Sequence, residues 1–200
     1  MQKQNTRSIP VIGLSGLGGS GKTTLATLLA LHKGFRIMPL AGPLKRGLAA
    51  IRNIPVEKLD DQEFKASTEP VSGQSYRYLL QTLGGSWGRD MVAPDFWVNL
   101  LMYQIESARR EGSVSGIVIP DVRYPNEVTA IRKIGGRIYG IERPGCEPLK
   151  GGIAAHSSEL GLPHHLTDGI ILNDRGVEDL YRSFCRTVSM TNTRDTVGER

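Results

Sequence analysis

The chain is poor in cysteine, with only Cys146 and Cys185 in 200 residues and no C-x-x-C pair. That excludes a disulfide framework and a dithiol redox motif, and it suits a reducing compartment. No apolar run approaches the roughly 18 residues of a membrane span. Residues 1–8 are polar and lack the apolar stretch of a signal peptide. A cytoplasmic protein without membrane contact is therefore expected. Basic residues are dispersed, with no run of five or more, although the net charge is +5. A nucleic-acid-binding tail is not expected, and small phosphorylated substrates explain the excess equally well. There is no G-x-S-x-G and no Ser-His-Asp pattern, which argues against a hydrolase triad. His156, His164 and His165 have no cysteines at zinc spacing, and the adjacent pair would diverge, so no metal site is expected there. Hydrophobic residues make up 39% of the chain. One α/β domain with inserted lobes can bury a core of that kind without staples.

Against these absences stands one strong motif. Gly16-Leu17-Gly18-Gly19-Ser20-Gly21-Lys22-Thr23 fits G-x-x-x-x-G-K-S/T, the phosphate-binding P-loop. It follows the apolar run Ile9–Leu14, read as a buried strand, and precedes Thr24–Lys33, read as a helix. Glycines let the backbone wrap phosphates with inward N–H groups, and the helix start adds partial positive charge. Gly16, Gly18, Gly19, Ser20, Gly21, Lys22, Thr23 and Thr24 are the expected ATP-phosphate contacts. Lys22 would reach the β- and γ-phosphates, and the Thr23 hydroxyl would ligate Mg²⁺. Gly16, Gly18 and Gly21 also satisfy G-x-G-x-x-G, the dinucleotide fingerprint. That alternative needs an acid about 20 residues on, to hold a ribose. Residues 35–43 contain none, and Lys22-Thr23 would go unexplained.

Strand signals recur at Ile9–Leu14, Phe35–Leu40, Gly116–Ile119, Gly136–Glu142 and Gly169–Leu172, with helical patterns between most of them. Such alternation predicts a parallel sheet of five strands flanked by helices. Tyr76, Leu79, Leu80 and Leu83 mark a helix expected to stop at Gly84-Gly85. Asp95 is a candidate N-cap for a helix carrying Trp97, Leu101, Ile105 and Ala108. Pro125 opens another that closes at Gly135-Gly136, and Val177 to Val188 mark the last. Residues 190–200 read as a polar tail. Two stretches break the alternation, and long structureless loops in compact domains are usually functional. The expected division is a core of about 9–42 and 113–189, an acceptor-binding lobe of about 43–112 and a lid of about 143–168.

Several residues are candidates within that frame. Asp121 ends the apolar run Ile117–Pro120, where P-loop enzymes carry an acid for Mg²⁺; an ordinary surface aspartate is the alternative. Arg123 lies beside it at the carboxyl end of a strand, the ligand-binding edge of open α/β sheets. Arg77 and Gln81 share one helix face and suit a phosphate and a base edge, although polar residues opposite an apolar stripe commonly just meet solvent. Trp87 could stack on a base or belong to the core. Lys45 and Arg46 could meet an acceptor phosphate or water, and Arg143 and Lys150 lie in the lid region. The stretch Leu40–Pro43 offers no acid to deprotonate a hydroxyl acceptor. A phosphate acceptor is largely dianionic already, its second pKa being about 6, and needs positioning rather than a base.

Several of these blocks together resemble the bacteriophage-type deoxynucleoside monophosphate kinases. They are the P-loop, Ala41-Gly42-Pro43-Leu44-Lys45, Arg77–Gly84 with Trp87-Gly88-Arg89-Asp90, and Asp95–Val98. Asp121–Glu127, Ile131-Arg132, Gly135-Gly136, Glu142–Gly145, His156–Glu159 and Asn173-Asp174 complete the set. The family usually carries an acid where this chain has Gly42. The resemblance implies transfer of a phosphoryl group from ATP, with Mg²⁺, to a deoxynucleoside monophosphate, in a host cytoplasm were the chain phage-encoded. It implies acceptor contacts from Lys45, Arg77, Gln81, Trp87, Arg89 and Arg132, and catalytic roles for Lys22, Arg123 and Arg143. A homodimer is left open. Competing readings are a P-loop kinase for an alcohol (dephospho-coenzyme A or shikimate-like) and a nucleotide-dependent switch or DNA-packaging partner.

Overall fold

A computed structural model describes residues 9–112, 114–146 and 161–197, with side chains as far as Thr191. Lys150, His156 and the His156–Glu159 block lie outside the described residues, as does most of the expected lid. The described chain divides into two compact units, residues 1–39 with 102–200, and residues 40–101.

The first unit is built on five parallel strands: β1 (Val11–Ser15), β2 (Phe35–Ile37), β3 (Gly116–Ile119), β4 (Arg137–Glu142) and β5 (Gly169–Leu172). Their order across the sheet is β2-β3-β1-β4-β5. All five strands lie where the sequence signals predict them, and the adjacent β1 and β3 are buried throughout, as parallel strands covered on both faces are. β1 is buried along its whole length and hydrogen-bonds to β3 on one side and β4 on the other. Chain order thus reverses around β1, and its carboxyl end opens onto a topological switch point, the ligand-binding crevice of such sheets. Helix α1 (Lys22–Lys33) buries Leu25, Ala26, Leu28 and Leu29. Leu25, Ala26 and Leu29 join Ile12, Leu14, Val118, Tyr139, Ile141, Ile171, Leu180 and Phe184 in one core. Helix α6 (Pro125–Lys133) packs on β4 and β1.

The last helix, α7 (Val177–Val197), runs past residue 190, where a polar tail is expected to begin. Thr191 is buried, and its Oγ1 lies 3.1 Å from the Tyr139 hydroxyl. A polar contact holds this turn, so no apolar period marks it.

The second unit contains α2 (Gly42–Arg52), a 3₁₀ turn (Val56–Asp60), α3 (Gln62–Ala66) and α4 (Tyr76–Thr82). Leu48, Ala49, Leu59 and Tyr76 form its core, with Ile54, Val56, Phe64, Leu79 and Leu80 packed against them. The caps follow local chemistry. Asp61 accepts from the Phe64 N–H at 2.6 Å, and Ser75 from the Tyr78 N–H at 3.1 Å. Between α3 and α4 the buried Glu69 carboxylate accepts from the amides of Val71 (3.0 Å) and Ser72 (2.8 Å) and pairs with Arg52 at 2.5 Å.

Gly84-Gly85 does not end the helix that α4 begins. The chain continues as a π-helix over Leu83–Val92. The wider turns follow from Trp97, which opens α5 (Phe96–Glu111): its Nε1–H donates to the Gly84 carbonyl at 2.8 Å. A Cβ on Gly88 would collide with the same indole. Glycine here serves close approach of a ring rather than termination. The compact unit ends at residue 101, within α5, not at 112 as expected; Ile105 and Ala108 are buried in the second half of that helix, which belongs to the first unit.

Candidate active site

The loop between β1 and α1 takes conformations open chiefly to glycine. Gly16, Gly19 and Gly21 have φ of +145°, +77° and +108°. A Cβ on Gly16 would meet the Ile141 carbonyl, and one on Gly21 would lie 2.5 Å from Asn173 Nδ2. The loop is therefore pressed against the ends of β4 and β5, while Gly18 and Gly19 remain exposed. Lys22 folds back over it, with Nζ donating to the Gly16 carbonyl at 2.7 Å and the Leu17 carbonyl at 2.6 Å. Its ammonium is held at the loop that the motif assigns to phosphates. Thr23 and Thr24 are exposed on the first turn of α1.

Two further segments reach the loop. Arg143, one residue past β4, donates from a guanidinium NH to the Gly19 carbonyl at 3.3 Å. Its Cys146 neighbour lies near Gly19 as well, 3.7 Å from where a Cβ would stand. Leu162 N–H donates to the buried Ser15 hydroxyl at 3.0 Å, and Gly161 packs on Gly16. The described ends of the segment that interrupts β4 and β5 thus both rest on the P-loop.

Asp121 and Arg123 follow β3, the immediate neighbour of β1. The buried Glu127 carboxylate accepts from the amides of Arg123 (2.7 Å) and Tyr124 (3.1 Å). The Val122 N–H donates to the Leu14 carbonyl at 3.1 Å. This acid fixes the backbone from which Arg123 projects and caps the start of α6. The sequence motif contains Glu127, but its role as a backbone anchor is visible only in three dimensions.

Arg132, an expected acceptor contact, is engaged within the first unit. It sits in the last turn of α6, where it donates to Asp168 Oδ1 at 2.9 Å and to the Leu166 carbonyl at 3.2 Å. Asp168 Oδ2 in turn accepts from the Ile138 N–H at the beginning of β4. Because α6 runs back across the sheet, its end lies at the amino edge of the strands, opposite the P-loop. Arg132 is a tie between α6 and β5.

Within the second unit, Gln81 is the most informative residue. Both its Oε1 and Nε2 are shielded from solvent, and neither has a hydrogen-bond partner among the described residues. A buried primary amide without partners is costly, by about 1–3 kcal/mol for each unsatisfied group. Arg77, one turn earlier on α4, is half-buried and donates to Gln62 Oε1 at 2.8 Å. Trp87 on the π-helix is 42% exposed, with its ring edge-on to Phe96 at 5.5 Å. Arg89 lies half-buried two residues further on. Lys45 on α2 is paired with Asp60 at 2.5 Å.

Comparison with known proteins agrees with this geometry. A family model described as deoxynucleotide monophosphate kinase matches residues 62–184. A provisionally named deoxynucleotide monophosphate kinase of Acanthamoeba polyphaga mimivirus is 30% identical over 181 residues, which span 86% of this chain and 92% of that protein. The deoxynucleotide monophosphate kinase of Enterobacteria phage T4 is 23% identical over 172 residues, covering 84% of this chain and 69% of that one. Among solved structures, TT1252 from Thermus thermophilus shares the fold, with a TM-score of 0.53 at 14% identity, over 91% of this chain and 97% of that chain.

Proposed function

The chain belongs to the deoxynucleotide monophosphate kinase family, and on that premise we propose that it transfers the γ-phosphoryl group of ATP to the phosphate of a deoxynucleoside monophosphate. The proposal assigns the donor to the P-loop unit and the acceptor to residues 40–101.

On the donor side, the backbone of Gly16–Thr23 receives the phosphates at the start of α1, where unpaired N–H groups carry partial positive charge. Lys22 moves from the loop carbonyls that it now caps to the transferring phosphoryl group, whose charge spreads over three oxygens. Arg143, already at Gly19, adds a second cation, and Arg123 a third from a backbone anchored by Glu127. Thr23 and Asp121 suit Mg²⁺ by chemistry and position. Both are hard oxygen donors, Thr23 on the first turn of α1 after the loop that follows β1 and Asp121 just past the adjacent strand β3, and a magnesium site completed by substrate phosphates needs only one or two protein oxygens. When bound there, the ion would neutralise charge on the β- and γ-phosphates.

On the acceptor side, the carrying observation is the orphaned amide of Gln81. A nucleobase edge presents an adjacent donor and acceptor, which is what such an amide lacks. Arg77 and Arg89 then suit the monophosphate by charge, Trp87 offers a ring face to the base, and Lys45 is a further cation on the same unit. No general base is required, since the attacking phosphate oxygen is already anionic.

The test is a steady-state assay of ADP formation with ATP and Mg²⁺, across all four deoxynucleoside monophosphates and their ribonucleotide counterparts. At least one monophosphate should stimulate turnover, and Lys22→Ala should abolish it with the fold intact. Stimulation only by an alcohol such as dephospho-coenzyme A, or undiminished turnover in Lys22→Ala, rules out the proposal.

A further inference from the structure

Asn173 stands immediately after β5, buried, where no P-loop signature points. Its side-chain Nδ2 donates to the Ser20 carbonyl at 2.8 Å across 153 residues of sequence. Its own N–H donates to the Glu142 carbonyl at 2.8 Å, so the residue is fixed from the backbone of β4 as well. Gly21 is wedged against it: a Cβ there would lie 2.5 Å from Nδ2 and 3.2 Å from Leu180 of α7.

The consequence follows from peptide geometry. The structure contains no cis peptide among its described residues, and in a trans peptide the C=O and N–H point in opposite directions. A Ser20 carbonyl drawn outward onto Asn173 turns the Gly21 N–H to the other side, toward the loop interior. Glycine on both sides of Ser20, at +77° and +108°, leaves this peptide free to rotate without such a tie.

We infer that Asn173 is a positioning residue for the donor site: it locks the Ser20–Gly21 peptide so that the Gly21 N–H faces the donor phosphates. The inference rests on the P-loop binding the donor, as proposed above. It assigns Asn173 to the polyphosphate and not to the base of the nucleotide. The distinction is testable with a probe that has no base.

Binding of ATP and of inorganic tripolyphosphate is measured for the unaltered protein, Lys22→Ala, Asn173→Ala and Asn173→Leu, the last keeping the volume without a donor. Loss of this bond should weaken both ligands to a similar degree, about tenfold. In turnover, the KM for ATP should rise while the KM for the monophosphate stays put. Weakening of ATP alone would make Asn173 a base contact, and unchanged binding of both would make it a purely structural residue; each overturns the inference. If the unaltered protein binds neither ligand, the donor reading itself fails. Should both Asn173 variants misfold, the Gly21 amide resonance of the unaltered protein decides: it must shift when tripolyphosphate is added, and an unmoved resonance overturns the inference.

Discussion

At the scale of single residues, Gln81 separates a binding group from a solvated one. By spacing alone it lies opposite the apolar stripe of α4, where a polar side chain commonly faces water. Instead its amide is buried without partners. A group kept at such a cost should be dispensable for stability and necessary for binding. Gln81→Leu is expected to leave thermal stability unchanged or raised, since an apolar side chain of similar volume removes two unsatisfied atoms. The same change should raise the acceptor KM by one to two orders of magnitude, equivalent to about 1.5–3 kcal/mol. An acceptor KM unmoved by this substitution removes Gln81 from the site. Glu69 makes the opposite case, a charge held for structure. The Val71 amide is the largest influence lowering its pKa, with the Ser72 amide and Arg52 acting in the same direction against burial. A carboxyl with a lowered folded pKa stabilises the protein above its unfolded pKa, and that stability is lost as pH falls through the folded value. Acid titration of thermal stability should therefore show a loss below the ordinary carboxylate range that Glu69→Gln flattens. Parallel curves for the two proteins would assign the acid sensitivity elsewhere.

At the scale of elements, the π-helix over Leu83–Val92 carries the block Trp87-Gly88-Arg89 that the proposal uses for the acceptor. Its geometry depends on the indole of Trp97 entering beside Gly88 and bonding to the Gly84 carbonyl. A methyl group at Gly88 has no room, and overpacking of this kind costs about 1–3 kcal/mol. Gly88→Ala should lower the unfolding free energy by that amount and alter the near-ultraviolet dichroism of the Trp87–Phe96–Trp97 cluster. Gly85→Ala is the control, because a Cβ at Gly85 meets nothing within 4 Å. Equal effects at the two positions would refute the packing explanation. The same element shows where reading the sequence stops. Gly-Gly after a helical stripe signals a C-terminus, and only the partner ring, a dozen residues away, reverses that meaning. The five-residue helix α3 was hidden because it has too few turns to establish a period. β1 and β3 were legible because burial along their whole length made them continuous apolar runs, and the P-loop because its glycines and lysine are needed at fixed spacing.

At the scale of the whole molecule, what escaped the sequence is what joins distant segments through polar groups. Asn173 to Ser20, Arg132 to Asp168 and Thr191 to Tyr139 each span tens of residues or more, and none leaves a periodic trace. The last of these decides the fate of the chain's final turns. Tyr139 is buried in β4, and burial raises its pKa, so its hydroxyl is held neutral and available as a donor. Thr191 Oγ1 also lies 2.9 Å from the Val188 carbonyl, one turn earlier in α7. The hydroxyl of Thr191 can thus donate along its helix while accepting from Tyr139, which satisfies both groups at once. A double-mutant cycle of Tyr139→Phe and Thr191→Val should yield a coupling energy of about 0.5–1.5 kcal/mol, the usual worth of a neutral hydrogen bond. Each single variant should also lower stability, since each strands one buried partner. Additive effects, with no coupling, would mean that α7 is held past Met190 by something other than this bond.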